Sequence, residues 1–426
     1  MSLQEFQKHP NRFSPQEIRA LVLLIAVLAS ILGLLVLGSY LLVDAFPNGP
    51  EFLLLRTAAQ SFLFDRIEPY SANIPSTVQQ EVYGRFARPG EKPYILDIPF
   101  YLFPLFLPLG WIKDELVARI FWMVLLEIGL LAFLIMSLRL ASERVRVPLV
   151  ALIVLFCCAT WYAVHSLAVG APVVLLAVAY AGILFALRVQ MDELAGALLV
   201  VSAFEWQVGA PFLIFIIVSV YWEGRWRVYI SAAMLLFILL AISFLLYPGW
   251  IIPFLRATWN NLQAGFGEST REVFVFFSPH YGEVLSWVLT AILVILLGYE
   301  WSESRGANFQ RVVWVACLTI AMTPLLGFRT EAGNLVVLLF PFITVLLRVG
   351  ERWKSTGKFL MGLMLAASVG LPWYIVSGQS RFPAEMNRYI LFLFLPIATV
   401  LGLYWIRWWM IRLPRTWVDQ VASMKE

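Results

Sequence analysis

Long apolar runs separated by short polar turns make up most of this chain. The first runs from Ala20 to Val43, and others follow at 116–138, 148–165 and 172–188. A membrane-spanning helix needs about 20 mostly apolar residues, because the hydrocarbon core of a bilayer is about 30 Å thick. The pattern therefore predicts an all-α, polytopic membrane protein with about twelve transmembrane helices. The remaining predicted full spans are 228–247, 283–299, 311–326, 335–347, 358–376 and 389–408.

The apolar stretch 194–222 differs from the others because polar residues interrupt it at 205–209. Each half is about 12 residues long, which is short for a full crossing. Irregular backbone at membrane depth is tolerated where protein or water covers it. We therefore expect two short helices that form a broken hairpin there.

Two polar intervals interrupt the apolar pattern. The longer one, 44–115, carries nine of the 27 acidic residues together with nine prolines. Its most apolar part, Pro99–Ile112, is about 14 residues long and too short to span, so it predicts juxtamembrane helices in the interface. The second interval, 248–282, is rich in aromatic residues and amides. No separate domain is predicted: 1–426 is one transmembrane domain with two long loops.

Composition agrees with this class and excludes several others. The chain is 61% hydrophobic and 14% charged, whereas a globular chain is about 45–50% apolar and about 25% charged. Cys157, Cys158 and Cys317 all lie in apolar runs, so they indicate neither a disulfide framework nor a metal site. No credible nucleotide-binding loop, metalloprotease motif or nucleophile elbow occurs. Basic residues stand singly at helix ends, which excludes a nucleic-acid patch.

The distribution of charge predicts the orientation. With the N-terminus inside, the inner loops and tails hold 19 of the 31 Lys and Arg residues against 11 acids. Cytoplasmic loops are enriched in Lys and Arg. Both termini are therefore expected in the cytoplasm, and both long loops, 44–115 and 248–282, on the outer face.

The outer loops contain the parts that a glycosyl transfer at a membrane surface needs. A carboxylate must accept the proton of the acceptor hydroxyl, and cations must hold the phosphate of the donor. Asp44 and Glu51 are nearest to the end of the first span, and the apolar run after Glu51 favours it as the anchored base. Arg56 follows about one helical turn later, and Arg329 lies in the short outer turn 327–334. Solvated loop acids and interfacial arginines remain the alternative interpretation.

Several short features together resemble the GT-C glycosyltransferases, and within them the polyprenol-phosphate-mannose-dependent alpha-mannosyltransferase family. In the first loop they are Glu51-Phe52, Ala58-Ala59, Pro69-Tyr70, the run Pro99 to Trp111 and the segment Asp114 to Trp122. The similarity continues at Val169-Gly170, Ala195-Gly196, the turn from Gly224 to Arg227, and Thr323-Pro324. The pattern is loose and covers most of residues 40–350.

The resemblance implies a GT-C-like bundle and an inverting transfer of a mannose-like sugar from a polyprenyl-phosphate donor to a glycolipid or glycan acceptor. It implies a base in the first outer loop, at Glu51, with Asp44 as the other candidate. The family has Asp where this chain has Glu51, and the chain also departs from the family at Ala171 and Glu205. The candidate substrate-binding residues are Arg56, Tyr70, Asp97, His165, Glu205, Gln207 and Arg329.

A donor with one phosphate carries less charge than a diphosphate donor, so no metal or other cofactor is expected. The expected partners are the lipid-linked sugar donor, the acceptor and membrane lipid, and the expected location is the bacterial inner membrane. Two other functions remain open. A lipid or amphiphile transporter would need internal repeats and mid-membrane polar sites, of which only Glu127 is evident. A non-catalytic scaffold or a lapsed enzyme would account for the departures from the family.

Overall fold

A computed structural model describes residues 29–411, apart from 31, 44–48, 89, 143 and 144. In this part of the chain all regular structure is helical, and the β-type pairing is one antiparallel bridge between Glu268 and Thr330. The predicted all-α class is confirmed. The α-helices are α1 (Leu32–Val43), α2 (Pro50–Gln60), α3 (Asn73–Tyr83), α4 (Leu107–Trp111), α5 (Glu115–Ala141), α6 (Val147–Cys158), α7 (Trp161–Val169), α8 (Val173–Arg188), α9 (Asp192–Val201), α10 (Trp206–Trp222), α11 (Trp226–Leu246), α12 (Ile251–Ala264), α13 (Thr270–Phe277), α14 (Gly282–Glu303), α15 (Phe309–Met322), α16 (Leu339–Arg352), α17 (Lys354–Val376) and α18 (Ala384–Ile411).

The chain is a multi-pass membrane protein. Among the described residues, seven helices are long and apolar enough to cross a bilayer, and α6 with α7 adds an eighth if the bent pair is one span. Three shorter apolar helices, α1, α8 and α10, accompany them. The count of twelve spans, the single-domain description and the sidedness stay predictions. The seven are Glu115–Ala141, Trp226–Leu246, Gly282–Glu303, Phe309–Leu326, Ala332–Arg352, Ser355–Val376 and Ala384–Ile411.

The predicted third span, 148–165, differs in form from the helices found there. α6 and α7 meet at an angle of 59°. Thr160 ends the first helix and begins the second, because its hydroxyl donates to the Cys157 carbonyl and accepts from the Ala163 N–H. A hydroxyl that caps a helix in this way offers the backbone an alternative to continuing the first helix. The expected single helix is therefore wrong, and the following turn begins after Val169.

The broken hairpin at 194–222 is confirmed as two helices, α9 and α10, separated at 202–205. Glu205 has a left-handed backbone conformation with φ 51°, so the chain changes direction there before α10 begins. The short α9 packs closely on α11, where a Cβ at Gly196 would lie 2.3 Å from the Val228 carbonyl oxygen. This contact fixes α9, and so the position from which Glu205 projects.

The first polar interval folds against the bundle instead of extending into solvent. α2 carries its buried face, with Phe52, Leu55 and Ala59, into the core. The predicted juxtamembrane part contains a 3₁₀ turn, Phe103–Phe106, followed by the five-residue α4. The segment 248–282, expected as a loop, instead forms the amphipathic helices α12 and α13. These two layers cover one end of the bundle.

Candidate active site

Glu51 lies in the first turn of α2, next to the helix-starting Pro50. A carboxylate is favoured there by the unpaired N–H groups of the helix start. The position of α2 depends on Gly170, which ends α7 with φ 75° and approaches so closely that a Cβ would lie 2.7 Å from the Phe52 Cβ. Trp122 of α5 donates to the carbonyl of Gly170 at 2.9 Å. Two bundle helices therefore hold the start of α2 in place.

Lys92 meets the carboxylate of Glu51. Its ammonium group forms ion pairs with both Glu51 and Glu331, and its side chain is 18% exposed. The ammonium also lies 5.7 and 5.8 Å from the ring centroids of Tyr94 and Phe266, close enough for cation–π attraction. Burial opposes the charged form, but the carboxylates of Glu331 and Glu51 outweigh it and raise the pKa of Lys92 well above its usual value.

The turn that carries Lys92 is fastened to α3. The Gln79 side chain donates to the carbonyl of Pro93 at 2.6 Å and accepts from the N–H of Ala87 at 2.9 Å. The hydroxyl of Tyr83 donates to the carbonyl of Lys92 itself at 3.3 Å. Because these bonds come from one helix, the ammonium is presented by a supported turn.

Glu51 and Lys92 line a polar space of about 60 Å³, which we call the carboxylate cavity. Asp97 lines it from the loop before α4 and accepts a hydrogen bond from the Asn261 amide at 2.7 Å. Burial raises the pKa of Asp97, although the Asn261 hydrogen bond and Lys92 act in the opposite direction. The lining residues are Glu51, Leu54, Leu55, Lys92, Ile95, Leu96, Asp97, Ile98, Pro172, Glu205, Gln207, Asn261, Phe266, Arg329, Glu331 and Asn334.

Glu205 enters the same cavity from the link between α9 and α10. Burial, followed by the nearby carboxylates of Asp97 and Glu51, raises the pKa of Glu205 well above its usual value. Carboxylates that crowd one cavity disfavour each other's charge. The carboxylate cavity therefore combines two carboxyl groups of raised pKa, Asp97 and Glu205, with a Glu51–Lys92 ion pair.

A larger space of about 480 Å³, the antechamber, shares Phe266, Arg329 and Glu331 with the carboxylate cavity. Two arginines line it. Arg329 pairs with Glu272 at 2.8 Å and Arg388 pairs with Glu268 at 3.5 Å. His165 also lines the antechamber, stacked on Trp161 with 5.0 Å between ring centroids.

An apolar groove of about 330 Å³ continues from the antechamber along α18, beside the end of α13 at Phe277. Tyr389 lines both spaces, so the groove begins where the arginines end. Its wall is almost entirely hydrocarbon and faces the outside of the bundle. The lining residues are Phe277, Met386, Tyr389, Ile390, Leu393, Phe394, Ile397 and Ala398.

Most of the residues predicted from the sequence come together. Glu51, Asp97, Glu205, Gln207 and Arg329 all line the carboxylate cavity, and His165 lines the antechamber beside it.

Two candidates, Arg56 and Tyr70, lie elsewhere. Arg56 is buried on the other face of α2, where it donates to the carbonyl of Lys113 at 2.9 Å and pairs with Glu115 at 3.4 Å. Tyr70 donates to the carbonyl of Ile98 at 2.7 Å and so supports the loop that carries Asp97. Asp44 lies outside the described residues.

Lys92 is the main residue that sequence reasoning missed as a site residue. It was visible only as a cation in an outer interval, where the positive-inside rule favours few of them. Its neighbours in sequence, Glu91 and Pro93, give no sign that it meets Glu51 and Glu331. In the described part of the chain, no group of three or more His, Cys, Asp or Glu side chains is arranged to hold a metal ion.

Comparison with known families decides the class. The model of glycosyltransferase family 87 matches residues 99–326, which is more than half of the chain. The chain belongs to glycosyltransferase family 87. It is a membrane glycosyltransferase, as the resemblance to GT-C enzymes predicted. No curated protein and no solved structure matches it.

The match to family 87 contains only part of the candidate site. His165, Glu205 and Gln207 lie within it, whereas Glu51 and Lys92 precede it and Arg329 follows it. The assignment to family 87 therefore rests on the bundle and the wall of the cavity, and the roles of Glu51, Lys92 and Arg329 rest on geometry.

Proposed function

We propose that this family 87 enzyme transfers a hexose or pentose, most simply a mannose-like sugar, from a polyprenyl-phosphate donor to a lipid-linked or envelope glycan acceptor. The reaction inverts the anomeric centre and takes place on the outer face of the bacterial inner membrane. The observation that carries this proposal is the continuity of three spaces: a polar cavity with a carboxylate, an antechamber with two arginines, and an apolar groove.

The antechamber suits a lipid-linked phosphate. Arg329 and Arg388 offer planar guanidinium groups, which bind phosphate oxygens through paired hydrogen bonds. The groove that starts at Tyr389 provides the hydrocarbon surface that a polyprenyl chain requires. Both arginines are already paired with carboxylates, Glu272 and Glu268. A phosphate must therefore share the guanidinium groups with these carboxylates, which favours a donor with one phosphate over a more highly charged diphosphate donor.

Glu51 is the general base in this proposal. Its carboxylate removes the proton of the acceptor hydroxyl, and the resulting oxygen attacks the anomeric carbon from the face opposite the phosphate. The bond between that carbon and the phosphate oxygen breaks, and polyprenyl phosphate leaves with the electron pair. Arg329 and Arg388 stabilise the negative charge that develops on the leaving group. Lys92 holds the Glu51 carboxylate at the cavity wall.

The remaining polar lining suits sugar hydroxyls. Asp97, Asn261, Gln207 and Asn334 present amide and carboxyl groups around one small volume. These groups both donate and accept hydrogen bonds, as sugar hydroxyls do. Phe266 supplies an apolar face beside them. This arrangement favours binding of a polyol over binding of a purely apolar molecule.

A turnover assay on the purified full-length chain tests the proposal. A panel of polyprenyl-phosphate sugars is offered with a mixed lipid acceptor, and release of polyprenyl phosphate is followed. We expect release from one donor class only. A folded sample that binds a donor, shown by a raised melting temperature, but releases no polyprenyl phosphate would favour a missing acceptor over a lapsed enzyme. Absence of both binding and release would favour the transporter or scaffold interpretation.

A further inference from the structure

A second large cavity lies at the end of the bundle opposite the carboxylate cavity. α8 begins beside the carboxylate cavity at Pro172 and ends beside this one at Leu187 and Arg188. α10 also runs from one cavity to the other. Gln207 in its first turn lines the carboxylate cavity, and Glu223, directly after its last residue, lines this one. We call this space of about 390 Å³ the arginine cavity. Its lining is Leu140, Ala141, Ser142, Leu187, Arg188, Gln190, Glu223, Arg225, Phe309, Gln310, Val313, Arg348 and Met410.

Three arginines line this cavity together with one carboxylate, Glu223, which lies 3.6 Å from Arg225. Arg225 has a structural role, because its Nε donates to Asp192 at 2.9 Å and its Nη1 donates to the Leu187 carbonyl at 3.0 Å. These bonds join the links at either end of the α9–α10 hairpin. Because Asp192 balances its charge, we interpret Arg225 as a structural residue of the cavity wall and not as a ligand-binding residue.

Arg348 is the arginine whose hydrogen bonding indicates a ligand. Its Nη1 lies 3.2 Å from Glu351, but its Nε is buried and has no hydrogen-bond partner among the described residues. A buried N–H group without a partner is costly, and most such groups in proteins are satisfied. Arg188 comes to the same cavity from α8 and donates to the carbonyl of Arg139 at 2.6 Å. An anion between these arginines would satisfy Arg348 Nε.

The rest of the lining indicates what carries the anion. Leu140, Phe309, Val313 and Met410 form an apolar wall directly beside the arginines. A small inorganic ion needs no such wall, whereas a lipid headgroup brings alkyl chains with it. The charge distribution of the sequence predicts that this end faces the cytoplasm, where anionic lipids attract Lys and Arg.

We propose that the arginine cavity is a binding site for a phosphate group, held by Arg188 and Arg348, and that the phosphate is the headgroup of an anionic phospholipid. Guanidinium groups match a phosphodiester in shape and charge. The site is separate from the proposed transfer site, and the proposal does not depend on the identity of the donor or the acceptor.

Native mass spectrometry of the delipidated full-length chain in a neutral detergent tests this. Short-chain phosphatidylglycerol and phosphatidylcholine with the same acyl chains are titrated separately. We expect one phosphatidylglycerol to bind at least about tenfold more tightly than phosphatidylcholine, a difference of about 1.4 kcal/mol. The double variant Arg188→Gln/Arg348→Gln should lose that preference. The matched variant Arg271→Gln/Arg381→Gln removes two exposed arginines elsewhere and should keep it.

The remaining outcomes each decide the proposal. If inorganic phosphate alone protects the protein from heat in an Arg348-dependent manner and the lipids show no preference, the phosphate site stands and its ligand is a soluble phosphate compound. Equal binding of both lipids with no effect of phosphate, or a preference that survives in the double variant, overturns it. If the double variant does not fold, Arg348→Lys, which keeps the charge and loses the planar fork, must reduce the preference several-fold.

Discussion

The two cavities at opposite ends of the same helices have opposite electrostatic character. The carboxylate cavity is lined by four carboxylates and two cations, and the arginine cavity by three arginines and one carboxylate. α8 and α10 contribute to both, so the helices themselves do not determine the chemistry. At the carboxylate cavity the links between helices supply most of the charged residues, whereas Arg188 and Arg348 of the arginine cavity lie near the carboxyl ends of α8 and α16.

The two ends also differ in how they are closed. Segments 49–114 and 248–281, with their short helices, cover the carboxylate cavity, and the first supplies Glu51, Lys92 and Asp97. The links around the arginine cavity, such as 189–191 and 223–225, are short. Reactive groups need a supported, partly dry environment, which a long folded segment provides. We therefore expect chemistry at the first end and binding without chemistry at the other.

The largest effect is expected for Glu51→Gln, which removes the base and keeps the shape. Transfer should fall by about a thousandfold, within the range of about 10²–10⁴ for loss of a general base. Steady-state release of polyprenyl phosphate measures this. Asp65→Asn, an exposed acid in the same segment, is the matched control and should keep full activity. Full activity in Glu51→Gln would remove it as the base.

Lys92→Met comes next. Without the ammonium, Glu51 and Glu331 are left as neighbouring carboxylates without their shared cation, so folding should lose about 3 kcal/mol. Turnover should fall as well, because Glu51 is no longer held at the cavity wall. Thermal melting and turnover together measure both effects. Lys92→Arg keeps the charge and should recover part of each, while Lys113→Met, an exposed lysine, should change neither. Unchanged stability and turnover in Lys92→Met would show that the ion pairs have no role.

Arg329→Gln should act on donor binding. A hydrogen bond to a charged group contributes about 1.5–3 kcal/mol, so the KM for the donor should rise by at least about tenfold. Initial rates at varied donor concentration distinguish this from an effect on kcat. The exposed Arg381→Gln serves as control. A fall in kcat at constant KM would show that Arg329 acts only on the charge that develops on the leaving group. Unchanged kcat and KM would place Arg329 outside the donor site.

Asp97→Asn should have the smallest effect and a characteristic pH dependence. Burial raises the pKa of Asp97, so the native chain holds a proton that the unfolded chain releases. The contribution of Asp97 to the free energy of unfolding is therefore fully present below its ordinary pKa of about 3.9. It decreases as the pH rises through the raised pKa of the folded state. In Asp97→Asn, the side-chain amide oxygen still accepts the hydrogen bond from Asn261. Because the amide does not ionise, the variant does not lose stability as the pH rises.

Melting curves from about pH 4 to pH 7.5 check the Asp97 prediction. The variant should match wild type at the acid end and exceed it by on the order of 2 °C at the upper end. An equal offset at every pH would show that the substitution acts through packing and not through the proton.

Some elements of this molecule could be predicted from the sequence, and others could not. Hydrophobic runs identified the seven long apolar helices, because lipid requires a length of apolar helix. They could not show that 148–165 bends, since a single hydroxyl, Thr160, causes the break. The polar interruption at Glu205 was predictable, because a carboxylate inside an apolar stretch is costly and must face a cavity.

The candidate site was only partly predictable for a geometric reason. Glu51 and Arg56 are about one helical turn apart, which favours a shared face, yet Arg56 turns to Lys113 and Glu115. Lys92 and Glu331 are 239 residues apart in sequence and in contact in space. No local pattern carries that information, because the contact depends on how two outer segments fold over the bundle.

The most direct test of the difference between the two ends is a cryo-electron microscopy structure of the full-length chain with a non-transferable polyprenyl-phosphate sugar analogue. We predict phosphate density between Arg329 and Arg388, the lipid chain along the α13–α18 groove, and the anomeric carbon facing Glu51. Analogue phosphate bound instead at Arg188 and Arg348, with the carboxylate cavity free of sugar density, would contradict the assignment of the transfer site.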